Sequence, residues 1–320
     1  MFLFTATLFA LSLTLGNNPA LNEVEQVTKY CSRPDSAKIE STLSFISNNL
    51  TKGRLTGTSG NLIVSSFLRD KIASMGMIPF YSTTFSQSFK VPGDSVIGRN
   101  IIGVLPSLYY TDKYIIVSAH YDHLGMLGGK IYNGADDNAS GVTALLTIAQ
   151  WFSQMRYNRE GPRVNIIFAL FDAKESSLAG SDYFANNLKI PVSNIKYNIN
   201  LDQIGCTFAP PGDKENYLLY VADSRIKRQI RSKLELLNKF HNLEIDIDHS
   251  FYGSPAFYEV FFKTGDHYNL SKAGIPSILF TSGVHMHTYK PTDEYYFINY
   301  PVLINRIRLI YLLTHELTTM

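Results

Sequence analysis

The sequence lacks several features that mark large classes of protein. Only two cysteines, Cys31 and Cys206, occur in 320 residues, too few for a disulfide-built scaffold and wrongly spaced for a structural zinc knuckle. The sequence leaves open whether the two form one disulfide. Neither sign of charge prevails, with 29 basic and 27 acidic residues, so no electrostatic footprint for nucleic acid is present. No G-x-S-x-G nucleophile elbow occurs, which disfavours a serine hydrolase.

The longest apolar run lies at the start of the chain. Residues 1–16 are almost wholly apolar, and a polar run begins at Asn17, a pattern typical of a signal peptide. We expect a signal peptide over residues 1–20, with residue 16 as one candidate cleavage point, and a secreted or periplasmic protein. The run lacks an early Lys or Arg, so an uncleaved membrane anchor is the alternative, and no other membrane contact is expected.

Apolar periodicity predicts alternating helices and strands in the rest of the chain. A helical pair is expected over residues 39–50 and 60–75. Buried strands are predicted at residues 114–118, 164–171, 197–201 and 277–281, and later helices at residues 139–155, 223–240 and from Pro301 onward. This order predicts a single α/β domain over residues 21–320, a mostly parallel mixed sheet with helices on both faces.

Polar residues follow the predicted strands, where ligands collect in such sheets. They are His120, Asp122 and His123 in AHYDHLG, Asp136 and Asp137 in NGADDNASG, Glu175 in DAKESSLAGS, Asp202 in NLDQIG, and later His285 and His287. Imidazole and carboxylate groups are what zinc accepts, commonly one from each of several loops. A carboxylate two residues after His120 can hold its other ring nitrogen, so we assign Asp122 to orient His120. Taken alone, the pair would more simply cap a turn.

These loops belong to a longer series of motifs between about residues 43 and 300. The series reads GRLTGTSG, GRNIIGVLP, VSAHYDHLG, NGADDNASGV, ESSLAGSDYF, NLDQIG, GDHYNLSKAGIPSILF and YKPTDEYYFINY. Together the motifs resemble the zinc exopeptidases that include leucyl aminopeptidases, glutamate carboxypeptidase II and glutaminyl cyclases, known as metallopeptidase family 28. The resemblance implies the zinc-exopeptidase, phosphorylase/hydrolase-like fold, zinc as cofactor, and a peptide or amino-acid amide as substrate.

The resemblance also implies roles for particular residues. His120 and Asp202 would bind one zinc ion, Asp137 would bridge two, and Glu175 would bind the second. Asp136, which precedes the bridging carboxylate, would then shape the turn. Asp266 and His267 fall on GDH, a recurrent pocket motif of the family, and either a structural or a substrate-facing role is open for them.

Two positions depart from the family's pattern. Lys174 stands where peptide-cleaving members carry the glutamate that acts as general base, and a lysine accepts a proton only if its pKa is strongly depressed. Tyr289 stands where the family has its last zinc-binding histidine, and a phenol ionises only at about pH 10. His287 is the first candidate to replace that ligand, and His285 is the weaker one.

Both departures fall on the second metal position. We therefore expect one zinc ion, with two as the alternative, in an aminopeptidase-type peptide hydrolase with a weakened or one-metal site. The competing interpretation is an inactive relative that binds a peptide in the cleft where active members of the family would bind their substrate. In that case the ammonium of Lys174 would pair with Glu175 and Asp137 in the vacated metal position.

Overall fold

The computed structural model describes residues 27–81, 83–206, 215–250 and 254–319. Residues 35–320 form one compact unit and residues 1–34 another, in which residues 27–31 are helical. The predicted signal peptide over residues 1–20 and the predicted domain start at residue 21 lie outside the described residues. Within the described ranges, no helix combines the length and apolarity needed to cross a membrane.

The larger unit alternates helices and strands along the chain. The helices are α1 (Ser36–Ile46), α2 (Ser59–Ser74), α3 (Gly141–Tyr157), α4 (Ala179–Asn186), α5 (Lys227–Phe240), α6 (Pro255–Thr264), α7 (His267–Lys272) and α8 (Tyr300–Thr318). The strands are β1 (Ile78–Pro79), β2 (Ser86–Lys90), β3 (Ile97–Leu105), β4 (Tyr114–His120), β5 (Gly125–Leu127), β6 (Lys130–Tyr132), β7 (Asn165–Phe171), β8 (Ile195–Leu201), β9 (Tyr217–Ala222), β10 (Asp246–Asp248) and β11 (Ser277–Thr281). Shorter helical turns lie at Asn49–Arg54, Ala135–Ser140, Val192–Asn194 and Tyr295–Phe297.

Nine strands of the described chain form one mixed sheet in the order β1-β3-β7-β4-β8-β11-β9-β10, with β2 paired to β3. The central strands β7, β4, β8 and β11 are parallel to one another. Antiparallel pairs β3–β7 and β11–β9 flank them, and β5 and β6 form a separate hairpin. The predicted α/β class with a mostly parallel sheet is confirmed.

Helices contact the sheet in two separate groups. In the first, α2, α3 and α5 contact strands, and α1 and α8 pack on α3. In the second, α4, α6 and α7 contact strands and one another. On the second side, Ile116, Ile167 and Phe171 form a buried cluster with Phe184 of α4 and Leu270 of α7. Because both faces are covered, the central strands are buried along nearly their whole length, which explains their continuous apolar runs.

The first predicted helix, over residues 39–50, is wrong at its end. Helix α1 ends at Ile46, and the side chain of Asn48 accepts a hydrogen bond from the Leu50 N–H at 3.0 Å, which starts a new helical turn. Gly53 in that turn has φ +65°, and an added Cβ would lie 2.4 Å from the carbonyl oxygen of Tyr132. Asn48 thus starts a separate turn after α1, and the close packing of Gly53 against a distant loop fixes the conformation of that turn.

Acid sensitivity of the folded state is expected at His315 in α8. Its ring stacks on Phe152 with centroids 6.4 Å apart, and burial lowers its pKa from 6.5 to about 4. The unfolded chain therefore takes up a proton here before the folded chain does. We predict that the free energy of unfolding falls by roughly 1–3 kcal/mol between about pH 6.5 and pH 4 because of this residue. His315→Gln should remove that component in urea titrations, and an unchanged pH slope would contradict the assignment.

Candidate metal centre

The carboxyl ends of three parallel strands carry the candidate site. Strand β4 ends at His120, and β8 ends one residue before Asp202. Strand β7 ends at Phe171, three residues before Lys174. Because β4 lies between β7 and β8 and all are parallel, their loops leave the sheet at the same edge. Asp137 reaches this edge from the helical turn Ala135–Ser140 that precedes α3.

His120 contacts both Asp137 and Asp202. The Nε2 atom of His120 is 3.3 Å from Oδ1 of Asp202 and 3.4 Å from Oδ1 of Asp137. Neither carboxylate oxygen of the fully buried Asp137 has a hydrogen-bond partner among the described residues. Burial alone would raise the pKa of Asp137, but Lys174 and His120 hold it well below its usual range. The carboxylate is therefore ionised and available as a ligand.

Asp122 faces the other side of the His120 ring. Nδ1 of His120 lies 3.2 Å from the main-chain oxygen of Asp122 and 3.6 Å from its Oδ1. The carboxylate of Asp122 also accepts hydrogen bonds from the backbone N–H groups of Lys174 and Glu175, each at 3.0 Å. Asp122 thus links the imidazole to the loop after β7, which adds a contact beyond the predicted one.

The ammonium of Lys174 lies between two carboxylates. Nζ donates a hydrogen bond to Oε1 of Glu175 at 2.9 Å and lies 3.6 Å from Oδ1 of Asp137. Burial alone would lower the pKa of Lys174, but the carboxylates of Asp137, Asp202 and Glu175 raise it well above its ordinary value. Lys174 is therefore a charged donor. Burial and the charge of Asp137 raise the pKa of Glu175 to about 7.

The loop after β11 contributes fewer ligands to this cluster than the sequence predicts. Tyr289 is 51% exposed, and its ring centroid lies 5.6 Å from Nζ of Lys174. His287 turns to Thr292, with Nδ1 2.9 Å from Oγ1, and its ring stacks on Phe297 at 4.3 Å. His285 places Nε2 2.9 Å from Oδ2 of Asp136. Both histidines thus contact other groups in this conformation.

Two aspartates fix the turn that carries Asp137. Asp136 accepts a hydrogen bond from the Gly205 N–H at 2.6 Å and contacts His285. Asp293 accepts hydrogen bonds from the backbone N–H groups of Asp136 at 2.8 Å and Asp137 at 3.0 Å. In the sequence, Asp293 is visible only as part of the motif YKPTDEYYFINY, which predicted no role for it. The structure places it directly behind the metal-site turn.

Arg54 is a second residue that sequence reasoning missed. It is fully buried and donates hydrogen bonds to the carbonyl oxygens of Tyr121 at 2.6 Å, Gly134 at 2.7 Å and Asp137 at 3.1 Å, and to that of Asn133. One guanidinium therefore ties the loop after β4 to the turn that carries Asp137. Arg54 lies in the motif GRLTGTSG, which indicated the family resemblance but not this role of the arginine.

Asp266 and His267, at the start of α7, are both fully buried. Throughout the described ranges, neither carboxylate oxygen of Asp266 and neither ring nitrogen of His267 finds a hydrogen-bond partner. Burial raises the pKa of Asp266 to about 6 and lowers that of His267 to about 3. The charges of His120 and Asp202 also act on Asp266, which places it near the cluster.

The donor set suits a divalent cation. His120, Asp137 and Glu175 offer ligand atoms that all lie within 4.8 Å of one another. Buried, unpartnered carboxylate oxygens beside an imidazole are the ligands that zinc accepts. Asp136, Cys206 and His285 also meet within that distance, but the carboxylate of Asp136 already bonds Gly205 and His285. Cys31 and Cys206 are separate buried thiols and form no disulfide.

Sequence comparison connects this chain to metallopeptidases. The sequence model of peptidase family M28 matches residues 100–314. A probable zinc metalloprotease of Pyrenophora teres f. teres is 30% identical over 142 residues, which cover 41% of this chain and 30% of that protein. A probable glutamate carboxypeptidase of Arabidopsis thaliana is 31% identical over 123 residues, which cover 38% of this chain and 17% of that protein. The chain thus matches less than a third of the length of either relative.

Solved structures share the fold over most of the chain. LapB of Legionella pneumophila superposes with a TM-score of 0.71 at 18% identity, covering 92% of this chain and 75% of that one. The glutaminyl cyclase of Porphyromonas gingivalis gives 0.68 at 19% identity, covering 88% and 98%. BSAP, a zinc aminopeptidase from Bacillus subtilis, gives 0.67 at 14% identity, covering 88% and 95%. At these identities the likeness concerns the fold.

Replacing Arg54 by lysine should weaken zinc binding although the charge is kept. A single ammonium cannot reproduce the fork that joins the carbonyl oxygens of Tyr121, Gly134 and Asp137. We predict that Arg54→Lys lowers zinc affinity by about 10- to 100-fold, as loss of an outer support commonly does. Competition with a chromophoric chelator measures this. Arg69→Lys, at an exposed pair with Asp70, is the control, and equal affinity in both variants would refute the role of Arg54.

Proposed function

Because the chain belongs to peptidase family M28, we propose that it is an exported, zinc-dependent hydrolase of aminopeptidase type whose site holds one ion. The observation that carries the proposal is the contact of His120 Nε2 with both Asp137 and Asp202, at 3.4 and 3.3 Å. Export rests on the apolar leader over residues 1–20. One ion is favoured because the Lys174 ammonium already lies against the carboxylates of Glu175 and Asp137, at 2.9 and 3.6 Å.

His120, Asp137 and Asp202 would hold the zinc ion. When bound, zinc supplies Lewis-acid polarisation of a carbonyl group and lowers the pKa of water. Asp122 keeps the His120 ring in place from behind, and Asp293 with Arg54 holds the backbone of Asp137. These contacts fix the ligands before any ion arrives, which limits the reorganisation needed for binding.

Lys174 and Glu175 determine what proton transfer the site supports. Lys174 stays charged, so it donates hydrogen bonds and stabilises negative charge, and it cannot act as the base. Glu175 is a buried carboxyl group at this site with a pKa of about 7, which suits proton exchange near neutral pH. Its hydrogen bond from Lys174 competes with that role. We therefore propose slow peptide hydrolysis at the end of a chain.

An inactive, peptide-binding relative is the second candidate. The ion pairs of Lys174 with Glu175 and Asp137, at 2.9 and 3.6 Å, favour it because they satisfy the second half of the site without a metal. In that case the cleft would retain a peptide but not cleave it.

Metal analysis and hydrolysis assays test the first proposal. The purified protein should carry one zinc ion per chain and release free amino acids from short peptides or amide reporters. Asp137→Asn should lose the ion and the activity together, because it removes the charge at the centre of the ligand set. Protein that holds no zinc and releases no amino acid would refute the enzyme and favour the inactive relative.

Reversion of the two divergent positions separates the candidates. Lys174→Glu combined with Tyr289→His restores the family's base and last ligand, and we predict a rate increase of about 10²- to 10⁴-fold, the usual contribution of a positioned base. An inert parent with an active double variant supports the inactive relative. A parent already as fast as the double variant would show that the base and the histidine are not needed.

A further inference from the structure

Exposed apolar side chains lie together at the rim of the metal centre, in the loop after β11 and in the helical turn that precedes α8. We call them the rim patch, which consists of Met286, Tyr289, Tyr295, Tyr296 and Phe297. Met286 is 62% exposed and Tyr296 64%, and the other three are between 37% and 51% exposed. A contiguous patch of exposed apolar residues usually marks a binding surface, whereas scattered ones need no explanation.

Ring contacts connect the members of the rim patch. The ring of Phe297 stacks on that of His287, with centroids 4.3 Å apart. The Tyr296 ring follows at 4.8 Å from Phe297, and the Tyr295 ring lies 5.6 Å from Tyr296. Met286 directly precedes His287 in the chain. The side chains therefore form a continuous row and not a set of isolated exposed residues.

Two residues connect the rim patch to the metal centre. The ring centroid of Tyr289 lies 5.6 Å from Nζ of Lys174. Asp293, which lies between Tyr289 and Tyr295 in the sequence, accepts hydrogen bonds from the backbone N–H groups of Asp136 and Asp137. A peptide held by one end at the metal centre can therefore continue over the rim patch.

Hydrogen bonds fix the segment that carries the rim patch. The backbone N–H of Phe297 donates to the carbonyl oxygen of Glu294 at 3.0 Å, and the hydroxyl of Tyr300 donates to that of Tyr295 at 3.2 Å. The rings are thus held in place before any ligand arrives. A preformed surface loses less conformational entropy on binding, which favours affinity.

The charged side chains beside the rim patch already have partners. Nζ of Lys290 donates a hydrogen bond to the carbonyl oxygen of Met286 at 2.7 Å. The carboxylate of Glu294 accepts a hydrogen bond from Nδ2 of Asn133 at 3.0 Å. The rim patch therefore presents aromatic and apolar surface, and the group that fits such a surface is an aromatic or large apolar side chain.

We propose that the rim patch binds aromatic or large apolar side chains of a peptide whose end is held at the metal centre, and that Tyr289 belongs to this surface and not to the ligand set. The inference rests on the proposed function, because it takes a peptide as the ligand, which the enzyme and the inactive relative have in common. It names the substrate class as peptides with aromatic or large apolar residues beyond the terminal one.

Fluorescence anisotropy of labelled peptides tests this proposal. An extended chain spans about 3.4 Å per residue, so peptides of about eight residues are long enough to cover the rim patch. Two such peptides are compared, with phenylalanine or serine at the inner positions and a reduced first peptide bond that resists cleavage. The parent should bind the phenylalanine peptide about 10-fold more tightly, which corresponds to ~1.4 kcal/mol. Equal affinities would overturn the proposal, and this comparison needs no variant.

A pair of double variants locates the preference on the protein. Met286→Ser with Tyr296→Ser removes the two most exposed members and should reduce the preference to about twofold or less. Leu108→Ser with Tyr110→Ser is the matched control, since both residues are exposed in the loop before β4, at the opposite end of that strand from His120. The control should keep the full preference. Loss of the preference in both pairs, or in neither, would contradict the assignment.

The two proposals fail in different ways. Protein that lacks zinc and hydrolysis but prefers the phenylalanine peptide contradicts only the proposed enzyme, whereas active, zinc-loaded protein that binds both peptides equally contradicts only the role of the rim patch. Sedimentation equilibrium tests another occupant, a second copy of this chain. A dimer of the parent that Met286→Ser with Tyr296→Ser abolishes would show that the copies cover the rim patch, and would also overturn the proposal.

Discussion

The site depends on one electrostatic constraint, which is that the buried carboxylate of Asp137 must have a cation beside it. Its oxygens find no hydrogen-bond donor in the described ranges, so nothing else compensates for the loss of water. Arg54 and Asp293 bind only the backbone of this residue and therefore fix its position without neutralising its side chain. The Lys174 ammonium, 3.6 Å from Oδ1, is one such cation, and the zinc ion of the proposed function would be another.

The parallel sheet makes this constraint possible. Strands β7, β4 and β8 end at the same edge and deliver Lys174, His120 and Asp202 from neighbouring loops. Helix α3 begins just after the turn that carries Asp137 and packs on the same strands. Few of the site residues are adjacent in the sequence. The fold as a whole, rather than any one segment, therefore brings the charged groups together. A buried cluster of this kind is costly to assemble unless its partners are already in place.

The sequence predicts the elements whose signal is local. Buried parallel strands appear as continuous apolar runs, and β11 has the predicted bounds. Strand β9 and the β5–β6 hairpin were not predicted, and α1 is shorter than predicted because Asn48 begins a separate turn. The convergence of His120 with two aspartates could be expected from loops at strand ends. The positions of Arg54 and Asp293 could not, because their hydrogen bonds join segments far apart in the chain.

The contacts that the site residues make with one another cannot be deduced from the sequence alone. The sequence shows that Lys174 departs from the family pattern. Its hydrogen bond to Glu175 depends on the side-chain rotamer and on burial, which the sequence does not show. His123 lies in the same motif as His120, yet only the three-dimensional arrangement shows that its ring faces two carboxylates.

Anomalous diffraction at the zinc absorption edge tests the central claim most directly. The account predicts one strong peak in the parent protein, in contact with His120, Asp137 and Asp202, and an ordered Lys174 side chain between Asp137 and Glu175. Zinc found only at Asp136, Cys206 and His285, or two peaks with Lys174 displaced into solvent, would contradict it.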